Sequence, residues 1–197
     1  MTAAAVNPIA ANGISLEEEL GLIADHLRRS TVRILGADGC GSGVIWRPDG
    51  VVVTNAHVAR AKHLQIELDD GRELMGSVIA REPRRDLAAI RISGRDFPAV
   101  TVRDARTLRA GEMVIAVGNP MGHRGVANVG IVHSAVRERS LIVADIRLLP
   151  GNSGGPLADV EGRLVGINTL VASGLGCAIP SNAVARFLRA LERSGVA

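Results

Sequence analysis

An all-β fold, barrel or sandwich, with a helix at each end is what this sequence predicts, and three observations predict it. Short apolar runs rich in Val and Ile alternate with turn signals along most of the chain. The runs fall into two sets of about six, divided near residues 93–99. Helical periodicity is confined to the two ends.

Residues 1–13 carry no periodic pattern. Ser15 with Glu18 three residues later is a capping-box pattern, and Leu16, Leu20, Ile23, Ala24 and Leu27 then recur at helical spacing. Arg28 and Arg29 suit the negative end of the helix dipole, so an amphipathic helix is expected over 15–29. The first strand set comprises 31–35, 44–46, 51–54, 64–68, 74–79 and 87–92. The second comprises 100–102, 113–117, 126–136, 140–146, 156–158, 164–170 and 176–179. Between them lie Pro48-Asp49-Gly50, Asp69-Asp70-Gly71, Gly118-Asn119-Pro120 and Glu161-Gly162, residue types that pre-set φ or tolerate left-handed backbone. Ser181 or Asn182 is placed to cap a closing helix with Val184, Phe187, Leu188 and Leu191 on one face, ended by Gly195. The expected organisation is an N-terminal segment 1–30, a first β unit 31–97, a second 98–180 and a C-terminal helix 181–197.

Composition narrows the function classes. A chain of 197 residues with 47% hydrophobic and 22% charged residues is globular, and its length allows one large domain or two small ones. One Trp, two Phe and no Tyr leave the core to Val, Ile, Leu and Ala, and argue against a nucleic-acid face built on aromatic stacking. Lys62 is the single lysine, and no basic run exceeds two residues, so the net charge of +3 reads as a solvated, Arg-biased surface. Cys40 and Cys177 can form at most one bridge, which a reducing compartment accommodates equally well. The N-terminal residues lack a signal-peptide pattern, and no apolar run approaches the roughly 18 residues of a membrane helix. A cytoplasmic chain without a membrane span is therefore expected, with an envelope or secreted setting if a leader has been trimmed.

The chemistry concentrates in Pro150-Gly151-Asn152-Ser153-Gly154-Gly155-Pro156. A serine flanked by glycines suits a sharp turn that a substrate must approach closely, and the amides of Gly151, Asn152 and Ser153 could converge on an oxyanion. The segment also matches G-x-S-x-G, but that elbow needs a helix after the serine and a histidine later in the chain. Here a proline and a strand follow, and His26, His57, His63, His123 and His133 all precede Ser153. An S-x-x-K arrangement fails too, because Ala59 stands three residues before Lys62. What remains is an upstream base, then an acid, then the nucleophile. His57 ends the apolar run of Val52-Val53-Thr54-Asn55-Ala56, a rigid place from which to accept a proton. Asp86 stands where the charged Arg84-Arg85 meets the apolar Leu87-Ala88-Ala89-Ile90, a boundary at which a carboxylate needs a partner. A turn explains Asp69 and Asp70 without catalysis.

Taken together, these motifs resemble the chymotrypsin-like serine peptidases, most closely their HtrA (Deg) branch. The residues that carry the resemblance are Val53-Thr54-Asn55-Ala56-His57-Val58, Asp86-Leu87-Ala88, Gly118-Asn119-Pro120-Met121-Gly122, Gly151-Asn152-Ser153-Gly154-Gly155-Pro156-Leu157 and Ala178-Ile179-Pro180-Ser181-Asn182. The resemblance implies two six-stranded antiparallel β-barrels and a His57, Asp86, Ser153 triad with its oxyanion hole at Gly151, Asn152 and Ser153. It implies endopeptidase activity on polypeptides through an acyl-enzyme, with no metal or cofactor, and a homotrimer to which the first helix could contribute. It places Arg147, Leu148, Leu149, Thr169 and Cys177 around the primary specificity pocket, with small or medium aliphatic side chains preferred. An inward-pointing Arg147 would instead select an acidic residue, at the cost of burying a charge. By the same resemblance Cys40 stands where secreted relatives bridge to a cysteine just after the histidine, a bridge that Val58 excludes. The branch usually carries PDZ domains, for which these 197 residues leave no room, so a bare protease unit is expected, and the short stretch 137–139 and short segment after Thr169 put loop regulation in doubt. A protease fold that no longer cuts, serving as a binding or chaperone-like scaffold, is the rival reading.

Overall fold

The structure is a computed structural model, and it describes residues 15–36, 39–134 and 141–195. Twelve strands close into two antiparallel barrels, in the strand orders β1-β2-β3-β6-β5-β4 and β10-β11-β12-β9-β8-β7. The first barrel holds β1 (Thr31–Gly36), β2 (Gly39–Arg47), β3 (Val51–Thr54), β4 (His63–Glu67), β5 (Glu73–Glu82) and β6 (Leu87–Ile92). The second holds β7 (Met113–Gly118), β8 (Val126–Ser134), β9 (Ile142–Asp145), β10 (Pro156–Asp159), β11 (Leu164–Ala172) and β12 (Leu175–Pro180).

Period-2 alternation explains why the strands are apolar on both faces. In β3, Val52 points into the first barrel beside Ile34, Ile66 and Ile90. Val51 and Val53 point the other way, into a layer shared with Leu164 and Ile167 of the second barrel and with Val184, Phe187 and Leu188. The second barrel fills with Val114, Ile142, Leu157 and Val165. Aliphatic, β-branched side chains suffice for these small interiors, which accounts for the scarcity of aromatics.

The helices seal the outside. α1 (Leu16–Ser30) begins with the Ser15–Glu18 capping box and buries Ala24 and Leu27, the latter against Ile115, Val117 and Ala158. α2 (Ser181–Arg193) covers the layer between the barrels. Its N-cap is Pro180, not Ser181 or Asn182. The Ser181 hydroxyl is engaged elsewhere, donating to Arg103 O at 2.6 Å and accepting from Ala105 N at 3.1 Å.

Two strand expectations change. Residues 100–102 form no strand of either barrel but the strap between them. Val100 N donates to Ile45 O, while Leu164 N and Arg103 N pair across the strap with Thr101 O and Leu164 O. β2 begins five residues earlier than expected, because Cys40, Gly41, Ser42 and Gly43 pair with Leu35, Ile34, Arg33 and Val32 of β1. Closure of the barrel outweighs the poor strand propensity of those glycines. The start of the expected 140–146 run, the end of the 126–136 run and the 137–139 stretch lie outside the described residues.

Candidate active site

Thr54 ends β3, and the following turn is closed by Val58 N and Ala59 N donating to Asn55 O at 3.2 and 3.1 Å. Arg81 clamps the turn from outside, donating to Ala56 O through Nη2 at 2.8 Å. His57 thus leaves a rigid corner of the first barrel. Asp86 leaves the same barrel just before β6, with φ 54°, a left-handed conformation that aspartate tolerates better than most residues. The Asn55 side chain ties the two corners by donating to Asp86 O at 3.0 Å.

The Asp86 carboxylate accepts three hydrogen bonds. His57 N and His57 Nδ1 donate to Oδ1 and Oδ2 at 3.0 and 2.8 Å, and Thr169 Oγ1 donates to Oδ2 at 2.7 Å. Burial pushes the carboxyl up, and the hydrogen bonds from the His57 ring, Thr169 and the His57 amide outweigh it, leaving the group below the usual carboxylate range. A carboxylate only accepts, so Nδ1 carries a proton, and in the neutral ring Nε2 is left as the acceptor. Ser153 Oγ donates to Thr169 O at 3.1 Å, and no hydrogen bond joins it to His57.

The loop before β10 brings Ser153 to these groups from the second barrel. Gly151 has φ 103° and Gly154 φ 86°. A Cβ on Gly154 would lie 2.0 Å from Ser42 O, so the loop packs directly on β2. The Asn152 amide donates to Leu149 O at 2.9 Å, which withdraws it from the set expected at the oxyanion hole. The Gly151 and Ser153 amides make no hydrogen bond among the described residues. The two unpaired N–H groups are thus those of Ser153 itself and of Gly151, separated by the engaged Asn152 amide. Beside them a cleft of about 430 Å³ opens on the first-barrel side, bounded by His57, Ser153, Cys40, Val58, Arg60 and Leu64.

The residues expected around the specificity pocket are dispersed in role. Arg147 is exposed, between buried Ile146 and half-buried Leu148, and Leu148 packs on the second barrel's core. Leu149 supplies the carbonyl that takes the Asn152 amide. Thr169 turns its hydroxyl to Asp86, so it supports the histidine–aspartate pair. Cys177 is buried on β12, and burial raises its thiol pKa. Cys40 does not face Val58. Gly41 does, and a Cβ there would meet Val58 Cγ1 at 2.6 Å, while Cys40 Sγ lies 3.8 Å from Asn119 O. His26, His63, His123 and His133 are exposed and away from the serine's hydrogen bonds. Ser42, which holds the serine loop, Asn119, which holds Ser42, and the role of Thr169 are not among the residues expected from the sequence. Ser42 between glycines was the one local signal.

The profile of the trypsin-like peptidase domain matches residues 41–167, a span that contains His57, Asp86 and Ser153. A periplasmic, DegP-like serine endoprotease of Chlamydia pneumoniae is 34% identical over 169 residues, which cover 79% of this chain and 35% of that protein. Serine protease HhoB of Synechocystis sp. is 38% identical over 156 residues, covering 72% of this chain and 38% of that protein. The chain thus spans about a third of the length of these relatives. The solved structure of the HtrA-type protease AlgW with tripeptide superposes with a TM-score of 0.84 at 28% identity, covering 90% of this chain and 64% of that one. The periplasmic description of the Chlamydia relative runs against the cytoplasmic setting expected from the sequence. The domain match runs from β2 to β11 and so through both barrels, and the chain belongs to the trypsin-like peptidase family, among relatives of the HtrA type.

Proposed function

We propose that the chain is a serine endopeptidase that cleaves polypeptides through an acyl-enzyme at Ser153. The observation that carries this reading is the His57–Asp86 hydrogen bond at 2.8 Å beside a serine whose own amide and that of Gly151 are unpaired. Ser153 Oγ turns from Thr169 O to His57 Nε2, gives up its proton there and attacks the scissile carbonyl carbon. The Gly151 and Ser153 amides take the oxyanion of the tetrahedral intermediate. Asp86 fixes the imidazole tautomer and stabilises the imidazolium. His57 then protonates the leaving amine, the C–N bond breaks, and water releases the acyl group by the reverse steps. The cleft lined by Cys40 and Val58 reaches both His57 and Ser153, and we assign it to part of the substrate chain.

Small or medium aliphatic side chains remain the expected preference at the primary pocket. The exposure of Arg147 argues against selection of an acidic residue. The described relative's setting supports action in the cell envelope, and the family resemblance supports a homotrimer. No helix among the described residues is long and apolar enough to cross a membrane. A fluorophosphonate probe tests the assignment. Labelling at Ser153 that Ser153→Ala abolishes is the expected result, and absence of labelling in the wild type favours the silent scaffold instead.

A further inference from the structure

We infer that Ser42 is a positioning residue of the oxyanion hole, the clamp through which the first barrel holds the serine loop of the second in its donating geometry. The inference rests on the peptidase reading above.

Four consecutive carbonyls in the serine loop are all tied down. Pro150 O accepts from Met121 N at 3.2 Å, and Asn152 O accepts from Gly155 N at 3.0 Å. The two others go to a single residue. Ser42 Oγ donates to Gly151 O at 2.7 Å, and Ser42 N donates to Ser153 O at 2.9 Å. Each carbonyl shares a rigid peptide plane with the amide of the next residue. The Gly151–Asn152 plane is therefore held at both ends, by Ser42 Oγ and by Leu149 O. The Ser153–Gly154 plane is likewise held at both ends, by Ser42 N and by Asn168 O. The planes that carry the Gly151 and Ser153 amides are held only through their carbonyls, so those two N–H groups alone are left to point at a ligand. Ser42 thus grips the two planes that alternate with the two donors.

The hydroxyl has no freedom to do otherwise. Asn119 N and Asn119 Nδ2 both donate to Ser42 Oγ, at 2.9 and 3.1 Å. These occupy its two acceptor sites, and its one proton is left for Gly151 O. Asn119 is itself locked, with Nδ2 also donating to Val32 O at 3.2 Å and Oδ1 accepting from Gly125 N at 3.1 Å. Thr54 Oγ1 donates to Ser42 O at 2.6 Å, which seats the clamp beside the strand that leads to His57. Ser42 is fully buried, so no bulk water replaces the lost bond if the hydroxyl is removed.

Ser42→Ala leaves the His57–Asp86 pair and the substrate cleft intact but frees the Gly151 carbonyl. The expected result is a fall in kcat of about 10- to 100-fold with KM within about twofold, smaller than the roughly 10²–10³ of deleting an oxyanion donor outright. Affinity for a peptide aldehyde, whose hemiacetal mimics the oxyanion, should fall by a similar factor, while affinity for an uncleaved peptide in a Ser153→Ala background should not. Ser42→Cys, with a weak donor of similar size, should lie between and carries the test if the alanine variant does not fold. A folded variant with kcat within threefold of wild type, or one that raises KM with kcat unchanged, overturns the inference. Fluorophosphonate labelling separates the two levels. A wild type that does not label defeats the peptidase reading, whereas a wild type and a Ser42→Ala that label at equal rates defeat only the role of Ser42.

Discussion

Asp86 combines an unusual backbone with a carboxylate that accepts three hydrogen bonds. Its backbone is left-handed, and two bonds from His57 and one from Thr169 hold the side chain. Asp86→Asn keeps the size but presents an amide that can impose the wrong imidazole tautomer, and kcat should fall by about 10⁴. Ser153→Ala should lower kcat by on the order of 10⁶. Thr169→Val removes one of the three bonds to the carboxylate without a change of volume, and kcat should fall by about tenfold. Steady-state kinetics on a fluorogenic peptide orders the three. Equal losses for Thr169→Val and Asp86→Asn would show that the threonine does more than support the aspartate. His57, Asp86 and Ser153 were legible as candidates because each sits in its own local pattern of small and apolar neighbours. Thr169 and Ser42 were not, because their partners lie 83 and 109 residues away in the chain.

At the scale of elements, α1 is an accessory that the second barrel holds by a narrow apolar stripe. Leu27 is its fully buried contact, and Arg28 adds a hydrogen bond from Nε to Gly125 O at 2.7 Å. Leu27→Ala should lower unfolding free energy by about 2–5 kcal/mol, read from urea denaturation. A loss below about 1 kcal/mol would mean that the helix is not seated in solution as it is here. The helix was legible from its capping box and spacing, which are local properties. The extension of β2 through Gly39 was not, since those residues become strand only because β1 lies alongside.

Across the whole molecule, the strap between the barrels is anchored by charge. Arg103 bridges Glu112 at 2.7 Å and Asp159 at 3.3 Å, and Arg163 pairs with Asp159 at 2.8 Å. The Arg103 hydrogen bond holds Glu112 down at about 2, against its ordinary 4.5. Because the unfolded chain takes up this proton first, the stabilisation is present above about pH 4.5 and is lost as pH falls toward 2. The urea midpoint should therefore drop across that window, and Glu112→Gln should flatten part of the drop. An unchanged slope in the variant would remove Glu112 from the acid response.

What the sequence determined by itself is what neighbours along the chain can encode. That comprises the strand-rich pattern in two sets, the helix at each end, and the candidate base, acid and nucleophile in order. Barrel rather than sandwich was settled by strand pairing, which joins β1 to β4 and β7 to β10 across intervening segments. The tertiary structure alone decided which amides are free, since Asn152 and its neighbours have the same backbone chemistry. They differ only in what the first barrel and the loop's own return bring against them, and packing rather than residue type chooses which N–H groups stay unpaired.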